Sequence, residues 1–172
     1  MQVGSFTLEP SIQYRIVSND NIFSDDETQV SDLISRYGGS LALTSNWANH
    51  EVGVSARGSA DRFADNTAEN ASDTDLSAFG TVDITRETAV SAEVGLRQFA
   101  LSRNAADTTT GLERLRVDSS RGALELSHKF SKAQVEAFTR LRRDDFDDAI
   151  IDTNLSNQRD RDTLLYLSLI HI

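Results

Sequence analysis

The sequence predicts an all-β fold, an antiparallel up-and-down meander of about eight long strands. Three observations carry that expectation. Apolar residues recur at every second position rather than every 3.6, the period of a strand. Most of the alternating stretches run to about ten residues or more, where an ordinary strand has about five or six. The connections also alternate, short then long, so that tight turns gather at one end of the sheet and long loops at the other.

Each element follows in order. Over 6–16, Phe6, Leu8, Pro10, Ile12, Tyr14 and Ile16 share one face, and Thr7, Glu9, Ser11, Gln13 and Arg15 the other, because successive strand side chains point to opposite sides. Over 32–45, Leu33, Tyr37, Leu41 and Leu43 fall together. Over 50–60, Val52, Val54, Ala56 and Ala60 oppose Glu51, Ser55, Arg57 and Ser59. The stretch 74–85 carries Leu76, Ala78, Val82 and Ile84 on one face, and 88–96 sets Val90, Ala92, Val94 and Leu96 against Ser91 and Glu93, with Arg97 next. In 114–130, Leu124, Leu126 and Phe130 oppose Arg121, Glu125 and Lys129, but Leu115 and Val117 break parity, which predicts a bulge near 118–122 or a protruding section. Val135, Ala137 and Leu141 alternate with Gln134, Glu136 and Arg140 over 133–141, and Thr163, Leu165, Leu167 and Leu169 mark an eighth strand over 159–169. Short turns are expected at 46–49, 85–88 and 130–132, and long polar loops at 18–31, 63–73, 103–113 and 143–158.

Two media suit a sheet that is greasy on one side. A soluble antiparallel sheet sets its apolar face on a core and its polar face in water. A transmembrane β-barrel turns apolar side chains to lipid and polar ones to the lumen, with strands of about 9–11 tilted residues, short turns at one end and longer loops at the other. Strand length and loop asymmetry favour the barrel. Composition agrees: apolar residues make up 38% of the 172, low for a protein with a thick core. No run of about 18 apolar residues exists to form a membrane-spanning helix. The chain has no Cys, which removes disulfides and thiol chemistry, and its formal net charge of −10 argues against nucleic acid as a partner. Met1-Gln2-Val3-Gly4 shows no signal-peptide pattern. Aromatics near strand ends, Trp47 and Phe130 at short turns and Phe63, Phe99 and Phe146 near long loops, suit interface girdles; Phe79 and Phe138 lie on the polar face and do not.

A series of motifs adds to this. Ser18-Asn19-Asp20-Asn21-Ile22-Phe23 is followed by Gln29-Val30-Ser31-Asp32, by the strand 41–46 with Trp47 and His50, by Arg62-Phe63-Ala64-Asp65 and by Arg159-Asp160-Arg161-Asp162. In this order they resemble the outer-membrane β-barrel porins of type 2, a family associated with exopolysaccharide and capsule clusters. The resemblance implies an integral barrel of the bacterial outer membrane, in contact with its lipid and lipopolysaccharide and with polysaccharide as a further partner. It supplies no catalytic residue and no cofactor. Members are longer and begin with an export signal, so residues 1–172 are expected to be one barrel domain truncated at both ends, an N-terminal-half fragment. As such it would form a curled open sheet or a small barrel. The tail 167–172, Leu-Ser-Leu-Ile-His-Ile, resembles a translated sequencing adapter and is expected to be non-biological.

Under this reading the lumen is lined by Arg57, Glu93, Arg97, Arg121, Glu125, Glu136 and Arg140, and lipid meets Val52, Val54, Val90, Val94, Leu96, Leu124, Leu126, Val135 and Leu141. No basic ladder names an anionic substrate. The acidic groups Asp25-Asp26-Glu27, Asp65, Glu69, Asp73 and Asp75, and Asp144, Asp145, Asp147 and Asp148 read as solvated loops, with no calcium-loop spacing and no metal expected. His50 and His128 lie beside short turns and His171 in the tail, which offers no nucleophile constellation; an enzyme is not expected. Gly38-Gly39 lacks phosphate-loop context and suits close strand approach. Three functions fit: a passive pore for solutes or exopolysaccharide, a plugged structural or polysaccharide-binding barrel, and a soluble β-sheet module. The solute and the oligomeric state stay open.

Overall fold

The computed structural model describes residues 1–24, 27–101 and 114–147 in full and the backbone alone at 149–151, 154–156 and 166–171. A two-residue strand β1 (Gln2–Val3) turns through Gly4 into β2 (Phe6–Asn19). There follow β3 (Asp32–Ser45), β4 (Glu51–Phe63), β5 (Ala71–Asp83), β6 (Thr88–Ala100), β7 (Arg116–Lys129) and β8 (Gln134–Phe146). Short strands β9 (Ala149–Ile151) and β10 (Asn154–Ser156) pair with each other, and β11 (Tyr166–His171) returns beside β8. A single 3-10 turn, Thr67–Glu69, is the only helical element among the described residues. All pairing is antiparallel, and β1 to β8 followed by β11 lie side by side in chain order in one sheet that does not close on itself. The expected eighth strand is present as β11; the residues 157–165 and the side chains of 166–171, with those of Arg159 to Asp162, lie outside the described residues.

The register is unbroken through every long pair. Ile12, Gly39, Gly58, Thr74, Gln98, Asp118 and Asp145 lie opposite one another on one rung from β2 to β8. The expected bulge at 118–122 is therefore absent. Val117 keeps the parity of the polar face, and it is apolar because it is buried there, 1% exposed, with Leu115 beside it at 5%. The parity change reports a change in what covers the sheet, not a slip in pairing.

The apolar face is uncovered by the chain. Val94, Leu96, Ile16 and Ile12 all lie in the open, and the buried apolar residues sit elsewhere, at the long-loop end on the polar side. There Ile22, Ile34 and Phe63 form a cluster with Val17, Phe23 and Val30 against it. The backbone bond from Ile22 N–H to Val30 carbonyl (2.9 Å) closes the loop after β2 over that end. Side chains also crowd the polar face more than the apolar one. A Cβ at Gly53 would lie 2.5 Å from the Phe79 ring, and one at Gly95 would lie 2.6 Å from the Arg121 guanidinium. At Gly39, Gly58, Gly80 and Gly122, on the other face, the nearest atom is 3.5–4.0 Å away. Convergence on one side and splaying on the other is the geometry of a sheet curled around its polar face.

The apolar band drifts across the sheet. Its upper edge falls from Ile16 on β2 to Leu141 on β8, which shares the rung of Leu8, a drop of eight residues. Its lower edge falls by four, from Phe6 to Val135. The mean is about one residue per strand, and with a rise of about 3.3 Å and a spacing of about 4.8 Å the strands lean about 35° from the normal to the band. Measured along that normal, the band is about 20–25 Å tall, close to the roughly 25 Å of an outer-membrane barrel.

Candidate functional site

Register places every residue expected at the lumen on one face and every residue expected against lipid on the other. Arg57, Glu93, Arg97, Arg121 and Glu125 share the face of Glu136 and Arg140, and Val52, Val54, Val90, Val94, Leu96, Leu124 and Leu126 share that of Val135 and Leu141. When each successive strand is raised by one residue to correct for the tilt, the polar face resolves into layers. Arg15, Arg36, Arg57, Arg97, Arg121, Arg140 and Arg142 fall within about three residues of one level, a tier about 8 Å deep. Below it, toward the short turns, lie Glu9, Glu51, Asp83, Glu93, Glu125 and Glu136. Asp73 shares the level of Arg36 at its upper edge, and Asp61 and Asp144 lie just above.

Within the tier Arg121 is the most engaged. Its guanidinium grips Asp75 with two nitrogens, Nη1 to Oδ2 at 3.0 Å and Nη2 to Oδ1 at 3.2 Å, and Nε reaches Glu93 Oε1 at 3.3 Å. It does so by lying across Gly95, its direct partner on β6, which has no side chain to block the path. Asp75 stands between Arg57 and Arg97 on one rung. Arg36 Nε meets Asp61 at 3.2 Å and Arg142 Nε meets Asp144 at 2.9 Å. Arg97 stacks on Phe99 (4.5 Å) and Arg140 on Phe138 (4.9 Å), contacts that hold an arginine without neutralising it. Among the described residues Arg15, Arg57, Arg97 and Arg140 make no ion pair within 4 Å, and Asp75 attracts Arg57 and Arg97 from between them. An open groove of about 590 Å³ is lined by Arg57 and Arg97, by Asp73 and Asp75, and by neutral groups such as Ser11 and Gln13.

Asp32 anchors the rim. It is 5% exposed and accepts from the backbone N–H of Leu33 (2.7 Å), Ala64 (3.0 Å) and Asn66 (2.8 Å) and from the Asn66 side-chain amide (2.9 Å). Burial pushes its pKa up, but the Asn66 amide and the N–H groups of Asn66, Asp65 and Leu33 outweigh that and hold it at about 2. Nearby, Glu69 pairs with Arg114 Nε at 3.4 Å.

The apolar band carries aromatics at both margins. Phe6 meets Trp47 edge-on at 5.8 Å beside the short turns, where Phe130 also lies against His128 at 4.3 Å. At the long-loop margin Tyr14 and Tyr37 pair directly, 5.1 Å apart. The chain matches the family described as "Putative beta-barrel porin 2" over residues 1–171. It belongs to that family. The β-barrel porin resemblance in its motifs is thus a family membership, and the open meander is a barrel wall. No curated protein and no solved structure matches this porin-family chain.

Several expectations need correction. Phe63, Phe99 and Phe146 carry polar-face parity, and Phe63 is buried in the loop-end cluster, so they form no outer girdle; Tyr14 and Tyr37 hold that position. Asp73 and Asp75 belong to β5, not to a long loop, and Asp75 is the centre of the arginine contacts. Its odd number, matching Phe79, was the available clue. The basic ladder that no single strand contains runs across strands. Asp25, Asp26 and Asp148 lie outside the described residues. Among the described residues no group of His, Asp and Glu is arranged to hold a metal. His50 Nδ1 accepts from Asp83 N–H (3.0 Å) and His128 Nδ1 meets Thr88 Oγ1 (2.7 Å), so both imidazoles tie strand ends together.

Proposed function

We propose that this chain forms wall of a passive outer-membrane pore, with its polar face lining the lumen and its apolar face against lipid. The observation that carries this is the uncovered apolar band. It has the height of an outer-membrane span, leans at the angle of barrel strands, and is edged by aromatics. In lipid every backbone N–H and C=O must be paired, and an unbroken ladder from β2 to β8 does that across the band. The chain itself needs only to hold a hydrated, charged path open; the reading assigns it no catalysis and no cofactor. Lipopolysaccharide and lipid are its proposed surroundings, and hydrophilic solutes, exopolysaccharide among them, its proposed cargo. The test is reconstitution of the whole protein in planar bilayers. Discrete conductance steps are expected, and recovery of the protein in the aqueous fraction without detergent would overturn the reading.

A second reading rests on one observation. The loop carrying Ile22, Phe23 and Val30 folds inward over the polar face at the long-loop end, as a built-in stopper would. A plugged barrel would show little conductance until residues 20–31 were shortened, whereas the open pore conducts without that change.

A further inference from the structure

We propose that the arginine tier is a binding station for multivalent anions bearing carboxylate or phosphate groups, placed at the long-loop side of the polar face so that the two ends of the path treat such anions differently. This rests on the pore reading for its location, not for its chemistry. Like charges placed directly opposite on neighbouring strands destabilise a sheet. The tier contains two such pairs, Arg15 opposite Arg36 and Arg121 opposite Arg142. Carboxylates hold three of these four arginines and leave the other tier arginines without a contact ion pair. Asp75 has both oxygens taken by Arg121, Asp61 serves Arg36, and Asp144 serves Arg142. Arg15, Arg57, Arg97 and Arg140 remain.

Their surroundings suit a ligand. Arg57 and Arg97 sit on one rung two strands apart, about 10 Å between backbones, and border the same groove. Each guanidinium presents a planar fork of N–H donors that matches carboxylate and phosphate oxygens. Ser11, Gln13, Ser40 and Ser59 add neutral hydrogen-bonding groups; Asp73 and Asp75 line the groove too, Asp75 with both oxygens on Arg121. Because these arginines share one level, an anion arriving there meets them together. Below that level the face turns acidic. Glu9, Glu51, Asp83, Glu93, Glu125 and Glu136 share that face with Lys129, and Arg86 and Lys132 sit in the short turns beyond. An anion entering from the short-turn side crosses this zone first; one entering from the long-loop side passes Asp61 and Asp144, which are held by Arg36 and Arg142.

The experiment uses the whole protein and citrate, with two readouts. In planar bilayers, citrate on the long-loop side is expected to block conductance at a concentration about tenfold lower than on the short-turn side. In R57Q/R97Q that half-blocking concentration is expected to rise about tenfold, while R57K/R97K stays within about threefold of the parent. Equal block from both sides, or block unchanged in R57Q/R97Q, overturns the station. Calorimetric titration of citrate in detergent separates the two proposals. Binding that weakens about tenfold in R57Q/R97Q without any conductance leaves the station standing and removes the pore reading, and no citrate binding by the folded protein overturns the station.

Discussion

An arginine placed at Val94 tests which medium touches the apolar face. Val94 shares a rung with Leu8 and Leu141, and after correction for tilt it lies within about 3 Å of the middle of the apolar band. Ile84 follows β5 at its short-turn end, about 15 Å from that middle and past the band's lower edge. The two side chains are equally exposed to a water-sized probe, 61% each. If water covers the face, V94R and I84R each change stability by no more than about 0.5 kcal/mol, as surface substitutions do. If acyl chains cover it, an arginine at mid-depth costs about 2–4 kcal/mol and one at the margin about 0–1 kcal/mol. The assay is reversible guanidinium unfolding of the protein in phospholipid vesicles, with both variants against the parent. A gap of about 2–3 kcal/mol between them is expected. Equal values would refute the membrane assignment, whatever the family resemblance.

Other consequences are as direct. The Cβ added by Gly53→Ala would press on the Phe79 ring, so G53A should destabilise by about 1–3 kcal/mol, and a double-mutant cycle with F79L should recover most of it. Trp47, the only tryptophan, lies at the band's short-turn margin; its fluorescence should be quenched more by lipids brominated near the headgroup than by those brominated near the chain end. Asp32 has its pKa lowered from 3.8 to about 2, so its hold on 64–66 is fully present above about pH 4 and is lost as pH falls through about 2. Amide protection at Ala64, Asp65 and Asn66 should follow that course, and D32N should show weak, pH-independent protection there.

Much of this was legible in the sequence because period two is a local property. The strands, their short and long connections, and the two faces of Arg57 and Val54 follow from residues two apart. Val117 and Leu115 misled because parity alone cannot tell a slipped strand from an apolar residue buried on the polar face. Phe63 misled likewise: its place near a strand end was visible, but the face it shares with Ile34 depends on which residue stands opposite. The arginine tier needed more again. Arg15 and Arg142 are far apart in sequence, and their common level emerges only when register links all seven strands and tilt is removed. Asp32 gave no warning either, since its partners at 64–66 arrive across a strand pair.

The lone proline has a consequence for how this wall meets its neighbour. Leu8 exchanges backbone bonds with Met1, away from β3, so the amide positions of even-numbered β2 residues point to the free border of the sheet. Pro10 is the next of these and has no hydrogen to give. Whatever segment seals that border must do so one rung short, and a sequence seeking its partner strand there should carry at that station a carbonyl satisfied by other means.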